Sequence, residues 1–220
     1  MKRMKRAAVL IPGLLVALAG QASGQSSARA KWAPYCPALT AKSASDLTAF
    51  LKKTTPDAGL DPTQNNWCIT YAVAAVAADH FEPAIPAVVK FVGFSWPPLP
   101  GERTGTWDHL PALFQNLPAV TALRWFGKPA LPEILKALKA GSMSSFAQQA
   151  AAYAWFGIYN DHEDNVLQGF VVLSREAAKA TDDSVRERLQ NAIQQGLGLW
   201  CRSDNAKANC RQAVADGARQ

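Results

Sequence analysis

The sequence lacks any segment in which apolar and polar residues alternate over the length of a strand. Half-buried strands need that period of two, whereas helices bury residues three and four apart, so we expect an all-α fold with essentially no sheet. Long apolar runs are also absent after residue 24. Because a helix needs about 20 apolar residues to cross a bilayer, no membrane span is predicted in that part of the chain.

Clustered positive charge is also missing once the first residues are set aside. The formal net charge is +6, but Lys2, Arg3, Lys5 and Arg6 supply four of those charges, which leaves about +2 for the rest. Proteins that bind nucleic acids gather Lys and Arg on one face of the domain. No nucleic-acid partner is therefore predicted.

The basic start is followed by a short apolar stretch. Residues 7–19 carry no charge, and small residues offer cleavage sites near positions 19 and 24. A basic region, a short apolar region and a small-residue site together describe a secretory signal peptide. We therefore predict a signal peptide over 1–24 and a periplasmic or secreted protein, with an uncleaved anchor as the alternative. Residues 25–44 are predicted to form a flexible N-terminal segment.

Four cysteines follow the predicted signal peptide, at Cys36, Cys68, Cys201 and Cys210. Outside the cytosol an even number of cysteines favours disulfides. Four cysteines allow three pairings, and their order in the chain suggests Cys36–Cys68 and Cys201–Cys210. The alternative is that the cysteines are free, buried thiols.

The chain contains a duplicated segment. Residues 83–92 (PAIPAVVKFV) and 129–138 (PALPEILKAL) lie 46 positions apart, and residues 72–76 match 119–123 at an offset of 47. In both copies the apolar residues recur at helical spacing, and the two prolines fit the first turn of a helix. Gly141 is placed to end the second copy in a left-handed conformation. A period of about 40–47 residues with helical patterning is typical of α-solenoids.

With these matching helix starts, small-residue first helices and this period, the chain resembles HEAT-repeat proteins, more closely a group of exported bacterial HEAT-like proteins. The resemblance covers about residues 68–201. It implies an α-α superhelix of about three helix pairs over 45–201, with a capping helix at 182–200 and a polar C-terminal tail at 202–220. It also implies protein binding or scaffolding on a curved surface. We expect this role to be non-catalytic and to need no cofactor.

The segment between the two copies, residues 93–107, is longer than a link between stacked helices requires. Long ordered loops are often functional, and Trp and Arg dominate many binding interfaces. We predict that Trp96, Glu102, Arg103 and Trp107 contact a protein partner. A small-ligand or glycan site that uses Trp96 and Trp107 is the second hypothesis. Burial of both tryptophans over the hydrophobic seam is the alternative without a binding role.

A third hypothesis concerns Cys68, four residues after Gln64. This segment is similar to the Gln…Trp-Cys segments of papain-like peptidases, in which a helix N-terminus lowers the pKa of the thiol. A cysteine-dependent hydrolase would also need a histidine nearby. His80 would lie about 18 Å along the same helix, and His109 and His162 have no strand pattern around them. We therefore expect no catalytic function.

Each of the three histidines follows an aspartate, in Asp79-His80, Asp108-His109 and Asp161-His162. Adjacent residues on a helix point about 100° apart, so such a dipeptide is not a chelating pair. We interpret the aspartates as helix caps. No metal site is predicted.

Overall fold

The computed structural model describes residues 29–56, 63–95, 117–163 and 165–220. Within these ranges the chain is helical and has no strand, which confirms the predicted all-α class. The predicted signal peptide lies outside them. The α-helices are α1 Pro37–Thr40, α2 Ala44–Lys53, α3 Gln64–Ala78, α4 Ile85–Val89, α5 Pro118–Phe126, α6 Leu131–Ala140, α7 Ser145–Glu163, α8 Val166–Lys179, α9 Asp183–Trp200 and α10 Asp204–Ala218. Three 3₁₀ turns are η1 Ala33–Tyr35, η2 Glu82–Ala84 and η3 Lys128–Ala130.

Side-chain caps fix where several helices begin. At the start of α2, Ser43 Oγ accepts a hydrogen bond from Asp46 N, and the Asp46 carboxylate accepts one from Ser43 N. At the start of α9, Asp182 accepts hydrogen bonds from the N–H groups of Ser184 and Val185. The Ser43 hydroxyl also donates a hydrogen bond to the Asp46 carboxylate, and this bond lowers the pKa of Asp46. The Ser184 hydroxyl lowers the pKa of Asp182 in the same way. Both carboxylates also complement the positive end of their helix.

The two duplicated segments fold alike at their starts. Each opens with a 3₁₀ turn, η2 or η3, that leads directly into an α-helix, α4 or α6. Pro83 and Pro129 lie at the start of the 3₁₀ turns, and Pro86 and Pro132 lie at the start of the α-helices. A backbone N–H at these positions would have no intrahelical acceptor, so its absence in proline is tolerated.

The two segments end differently. α4 stops at Val89 after 5 residues, whereas α6 runs for 10 residues to Ala140. Gly141 follows α6 with φ 71°, which confirms the predicted left-handed end. After α4 the chain continues in tighter i→i+3 hydrogen bonds, for example from Phe91 N to Val88 O at 2.9 Å. This tighter turn buries Phe91, which is only 1% exposed.

The helices pack in two rows. One row contains α3, α5, α7 and α8, each packed against the next, and the other contains α2, α4, α6 and α9 in the same manner. The rows meet through the pairs α2–α3, α4–α5, α6–α7 and α9–α8, and α9 also packs against α7. Buried small residues such as Ala72, Ala75, Ala119 and Ala122 lie on α3 and α5. Without bulky side chains at these positions, the backbones can approach closely.

The residues before α2 form a strap, residues 29–41, along α3. Arg29 Nη1 lies 3.2 Å from Asp79 Oδ1 at the C-terminal end of α3. Seven residues later, Cys36 is bonded to Cys68 near the start of α3. Residues 29–36 of the strap therefore run antiparallel to α3 and are held at both of their ends.

The strap lies within residues 25–44, the segment predicted from the sequence to be flexible. Its anchor is Trp32, which is 1% exposed, and Cys36 is fully buried. These two side chains lie within a Ser- and Ala-rich sequence whose composition suggests disorder. Burial of one large aromatic side chain contributes about 2–3 kcal/mol, which helps to explain why the strap is ordered.

The residues after α9 also fold onto the array. α10 packs against α8, and its Cys210 is bonded to Cys201. A Cβ at Gly217 would lie only 2.3 Å from Val171 O of α8, so the two helices meet without a side chain between them. The buried residues of α10 are Cys210, Ala213 and Gly217. The predicted polar tail, residues 202–220, thus contains a helix whose buried face consists of small residues.

Both disulfide pairings predicted from the order of the cysteines are confirmed. The Cα atoms are 5.3 Å apart in Cys36–Cys68 and 6.4 Å apart in Cys201–Cys210. Each bridge joins a terminal segment to a helix of the array. Disulfides persist mainly in oxidising compartments, so the two bridges indicate folding outside a reducing cytosol.

Candidate binding groove

An open groove of about 830 Å³ lies between the end of α4, α6 and the start of α7. Its apolar lining includes Val89, Val92, Phe94, Met143 and Phe146. Its charged lining residues are Lys90, Glu133 and Lys136. Sites of about 300–1,000 Å³ with an apolar lining and a few polar groups are typical of ligand-binding clefts.

The groove follows from the shortness of α4. Because α4 ends at Val89 and α6 continues to Ala140, the last turns of α6 extend past the end of their neighbour. Ile134 and Leu138 of α6 are buried in the core. The residues that α6 contributes to the groove are Glu133, Lys136, Ala137 and Ala140. The groove therefore lies where the two copies differ in the length of their second helix.

A close backbone approach forms one wall of the groove. A Cβ at Gly93 would lie 2.8 Å from the Cβ of Ala147 in α7, closer than Cβ atoms approach one another. Glycine at position 93 therefore lets the chain that leaves α4 press against α7. Phe94 and Ser95 follow Gly93 and line the groove.

Lysines dominate the charged groups around the groove. Lys90 Nζ donates hydrogen bonds to Thr54 O at 2.9 Å and to Lys52 O at 3.4 Å, at the C-terminal end of α2. Lys136 Nζ lies 3.4 Å from Glu133 Oε2, and the Lys136 side chain is 74% exposed. Among the lining residues in the described ranges, Glu133 is the only carboxylate. The lining residues that the structure describes therefore carry two positive charges and one negative charge.

The four predicted partner-binding residues, Trp96, Glu102, Arg103 and Trp107, lie outside the described residues. The predicted binding segment nevertheless begins in the groove, because residues 93–95 line it. The other lining residues were not predicted from the sequence. Their place in the groove depends on where α4 ends, and both copies have the same helical pattern up to that point.

Cys68 lies in the first turns of α3, where the hydrolase hypothesis places it. Its sulfur is bonded to Cys36, so it carries no thiolate in this state. Thr63 Oγ1 caps the helix by accepting a hydrogen bond from Asn66 N. The hydrolase hypothesis would therefore require reduction of the bridge before Cys68 could act as a nucleophile.

His80 lies at the opposite end of α3 from Cys68. It has φ 47°, and its N–H donates to Ala77 O while Phe81 N donates to Val76 O, which is a Schellman ending of the helix. Asp79, the C-cap residue, pairs with Arg29 of the strap. The pair Asp108-His109 lies outside the described residues. In the ranges that the structure describes, no three His, Cys, Asp or Glu side chains come together as metal ligands.

A separate polar cluster joins α5 to α7. Arg124 Nε donates to Asp161 Oδ2 at 2.8 Å, and the Arg124 guanidinium lies 5.6 Å from the ring centre of Tyr153. A Cβ at Gly157 would lie 2.8 Å from Arg124 Nε, so glycine leaves room for this side chain. Tyr153, Gly157 and Asp161 are four residues apart and share one face of α7. Asp161 therefore holds two helices together and is not the cap that the sequence suggested.

Comparisons with protein-family models, curated proteins and solved structures found no match. None of the helices in the described ranges is both long enough and apolar enough to cross a membrane.

Proposed function

We propose that the protein is an exported, non-catalytic interaction module of HEAT-like design that binds a segment of another protein in the groove between α4, α6 and α7. The observation that carries this proposal is the groove itself, which has an apolar floor and a charged rim. Grooves of this type accept apolar side chains of a partner segment, while the polar rim orients it.

The two rows of helices support a HEAT-like superhelix. In helical repeat arrays each unit packs mainly on its neighbours, so corresponding helices form parallel layers. Here α3, α5 and α7 pack in order in one row, and α4, α6 and α9 pack in order in the other. The two duplicated starts lead into α4 and α6, which are neighbours in the second row, as equivalent helices of a repeat array would be.

Export is supported by two independent observations. The residues before position 25 have the order of a secretory signal peptide. The folded part contains two disulfides that join terminal segments to the array. A periplasmic or secreted location accounts for both, because disulfides form and persist there.

The test uses a pair of matched arginine variants. Ala140 lines the groove on the exposed side of α6, and Ala208 is exposed on α10 away from the groove. Each variant and the unmodified protein are immobilised and exposed to the native cell-envelope fraction. We expect Ala140→Arg to lose at least about 90% of the partner that the unmodified protein and Ala208→Arg retain, which corresponds to a tenfold loss of affinity. Equal capture by all three proteins would refute the groove as the binding site.

A second candidate function is binding of a small ligand or glycan, because the groove volume lies in the range of small-molecule sites. Thermal unfolding with and without simple sugars tests this candidate. A rise in melting temperature for the unmodified protein but not for Ala140→Arg would favour it over a protein partner.

A further inference from the structure

We infer that the segment bound in the groove is an acidic amphipathic peptide, with apolar side chains on the floor and Asp or Glu residues against the lysine rim. This inference rests on the proposed function and adds the chemistry of the partner. It comes from the combination of an apolar floor and an excess of lysines over carboxylates in the described part of the groove.

The floor of the groove, which is its apolar lining, favours a partner with apolar side chains. Met143 and Phe146 are half-buried, since they pack against the core while also lining the groove. Val92 beside them is only 1% exposed, so it belongs to the packed core beneath the groove and offers almost no surface to a partner. Methionine is flexible and adapts to side chains of different shape. An amphipathic helix that offers two or three apolar residues at i, i+3 and i+4 fits such a floor.

The rim of the groove, which carries Lys90 and Lys136, favours a partner with carboxylates. The contacts of Lys90 Nζ are two carbonyl oxygens of α2, which leave its positive charge without a carboxylate partner among the described residues. Its contact with Lys52 O also brings the exposed C-terminal end of α2, with Lys52 and Lys53, close to the groove. On the opposite side, Lys136 forms an ion pair with Glu133, which is the single carboxylate among the lining residues that the structure describes.

Charge complementarity then selects among possible segments. A basic segment would meet like charge on both sides of the groove, whereas an acidic segment would form ion pairs with Lys90 and Lys136. Partly exposed ion pairs each change affinity by about twofold to fivefold. The same pairs are screened by salt, so binding should weaken as the ionic strength rises.

The experiment is a selection from a random 12-residue peptide display library on the disulfide-bonded protein. We expect the enriched peptides to combine Leu, Ile or Phe with at least two Asp or Glu residues. A consensus peptide should then bind about tenfold more weakly to Lys90→Gln/Lys136→Gln. The matched control Lys207→Gln, on exposed α10, should bind like the unmodified protein. Thermal unfolding of each variant shows whether it remains folded.

The outcomes separate the inference from the proposed function. Enriched peptides that are neutral or basic, yet lose binding to Ala140→Arg, would overturn the acidic partner while the groove remains the site. Peptides that bind equally to the unmodified protein and Ala140→Arg would overturn both. Failure to enrich any peptide would also overturn the inference, and binding of a simple fatty acid that Ala140→Arg abolishes would then identify a lipid as the ligand of the groove.

Discussion

The first and second copies of the duplicated segment have the same start and different ends. Both place two prolines in an opening 3₁₀–α turn, but α4 ends after 5 residues and α6 after 10. Both helices pack against their neighbours, but the groove lies beside the end of the shorter α4 and along the longer α6. The comparison shows that the conserved pattern within the chain supports packing, and the departure from that pattern creates the candidate site.

The copies also differ in their position in the rows. α5, the first helix of the second copy, packs between α3 and α7. α3, the first helix of the first copy, packs on α5 on one side and carries the strap as well. An end helix of a repeat array needs a cover for its apolar face, and the strap provides it.

The largest expected effect comes from removing the bridge that holds the strap on α3. Cys36 and Cys68 are 32 positions apart, and Cys201 and Cys210 are 9 positions apart. Loop-closure entropy predicts a loss of about 4 kcal/mol for Cys36→Ala/Cys68→Ala and about 3 kcal/mol for the matched Cys201→Ala/Cys210→Ala. Urea unfolding of both double variants measures the free energies. A larger loss at the C-terminal bridge would contradict this account of the strap.

A smaller effect compares equivalent core positions of the two copies. Val88 in α4 and Ile134 in α6 occupy matching places and are both fully buried. We expect Ile134→Ala to lower the free energy of unfolding by about 3–4 kcal/mol and Val88→Ala by about 2 kcal/mol, because fewer methyl groups are removed from valine. Ala140→Arg in the groove serves as the control, with a change within about 0.5 kcal/mol. A loss below about 1 kcal/mol at Val88 would mean that α4 is not anchored in the core.

The smallest effect concerns the residues after the first helix of each copy. His80 follows α3 with φ 47°, and Gly127 follows α5 with φ 68°. Only glycine adopts positive φ without cost, so His80→Gly should stabilise the protein by about 1 kcal/mol. Gly127→Ala should destabilise it by about 1–3 kcal/mol. Thermal unfolding measures both, and a destabilising His80→Gly would show that the imidazole makes a contact worth more than the strain.

Much of the fold could be predicted from local patterns. The absence of alternation gave the all-α class, the cysteine order gave both bridges, and Gly141 ended α6 as expected. The order of the strap and of α10 was not predicted. The strap buries one large side chain, and α10 buries only small residues. Trp32 is a single anchor in a polar segment, and Gly217 is buried by close backbone contact that hydrophobicity does not indicate.

The groove could not be predicted for a different reason. Ile85 to Val92 has the same apolar spacing as Leu131 to Leu138, so the pattern predicts two helices of equal length. The early end of α4 depends on tertiary contacts, namely burial of Phe91 and the approach of Gly93 to Ala147. Arg124 and Asp161 were missed for the same reason, since 37 residues separate them in the sequence.

The most direct test of the proposed groove is site-specific photo-crosslinking in cells that produce the protein. The photoreactive residue p-benzoylphenylalanine replaces Ala140 in the groove or, as the matched control, Ala208 on α10. The account predicts one crosslinked protein partner from position 140 and none from position 208. Crosslinking of the same partner from position 208, with none from position 140, would contradict the claim that the shortened first copy creates the binding site.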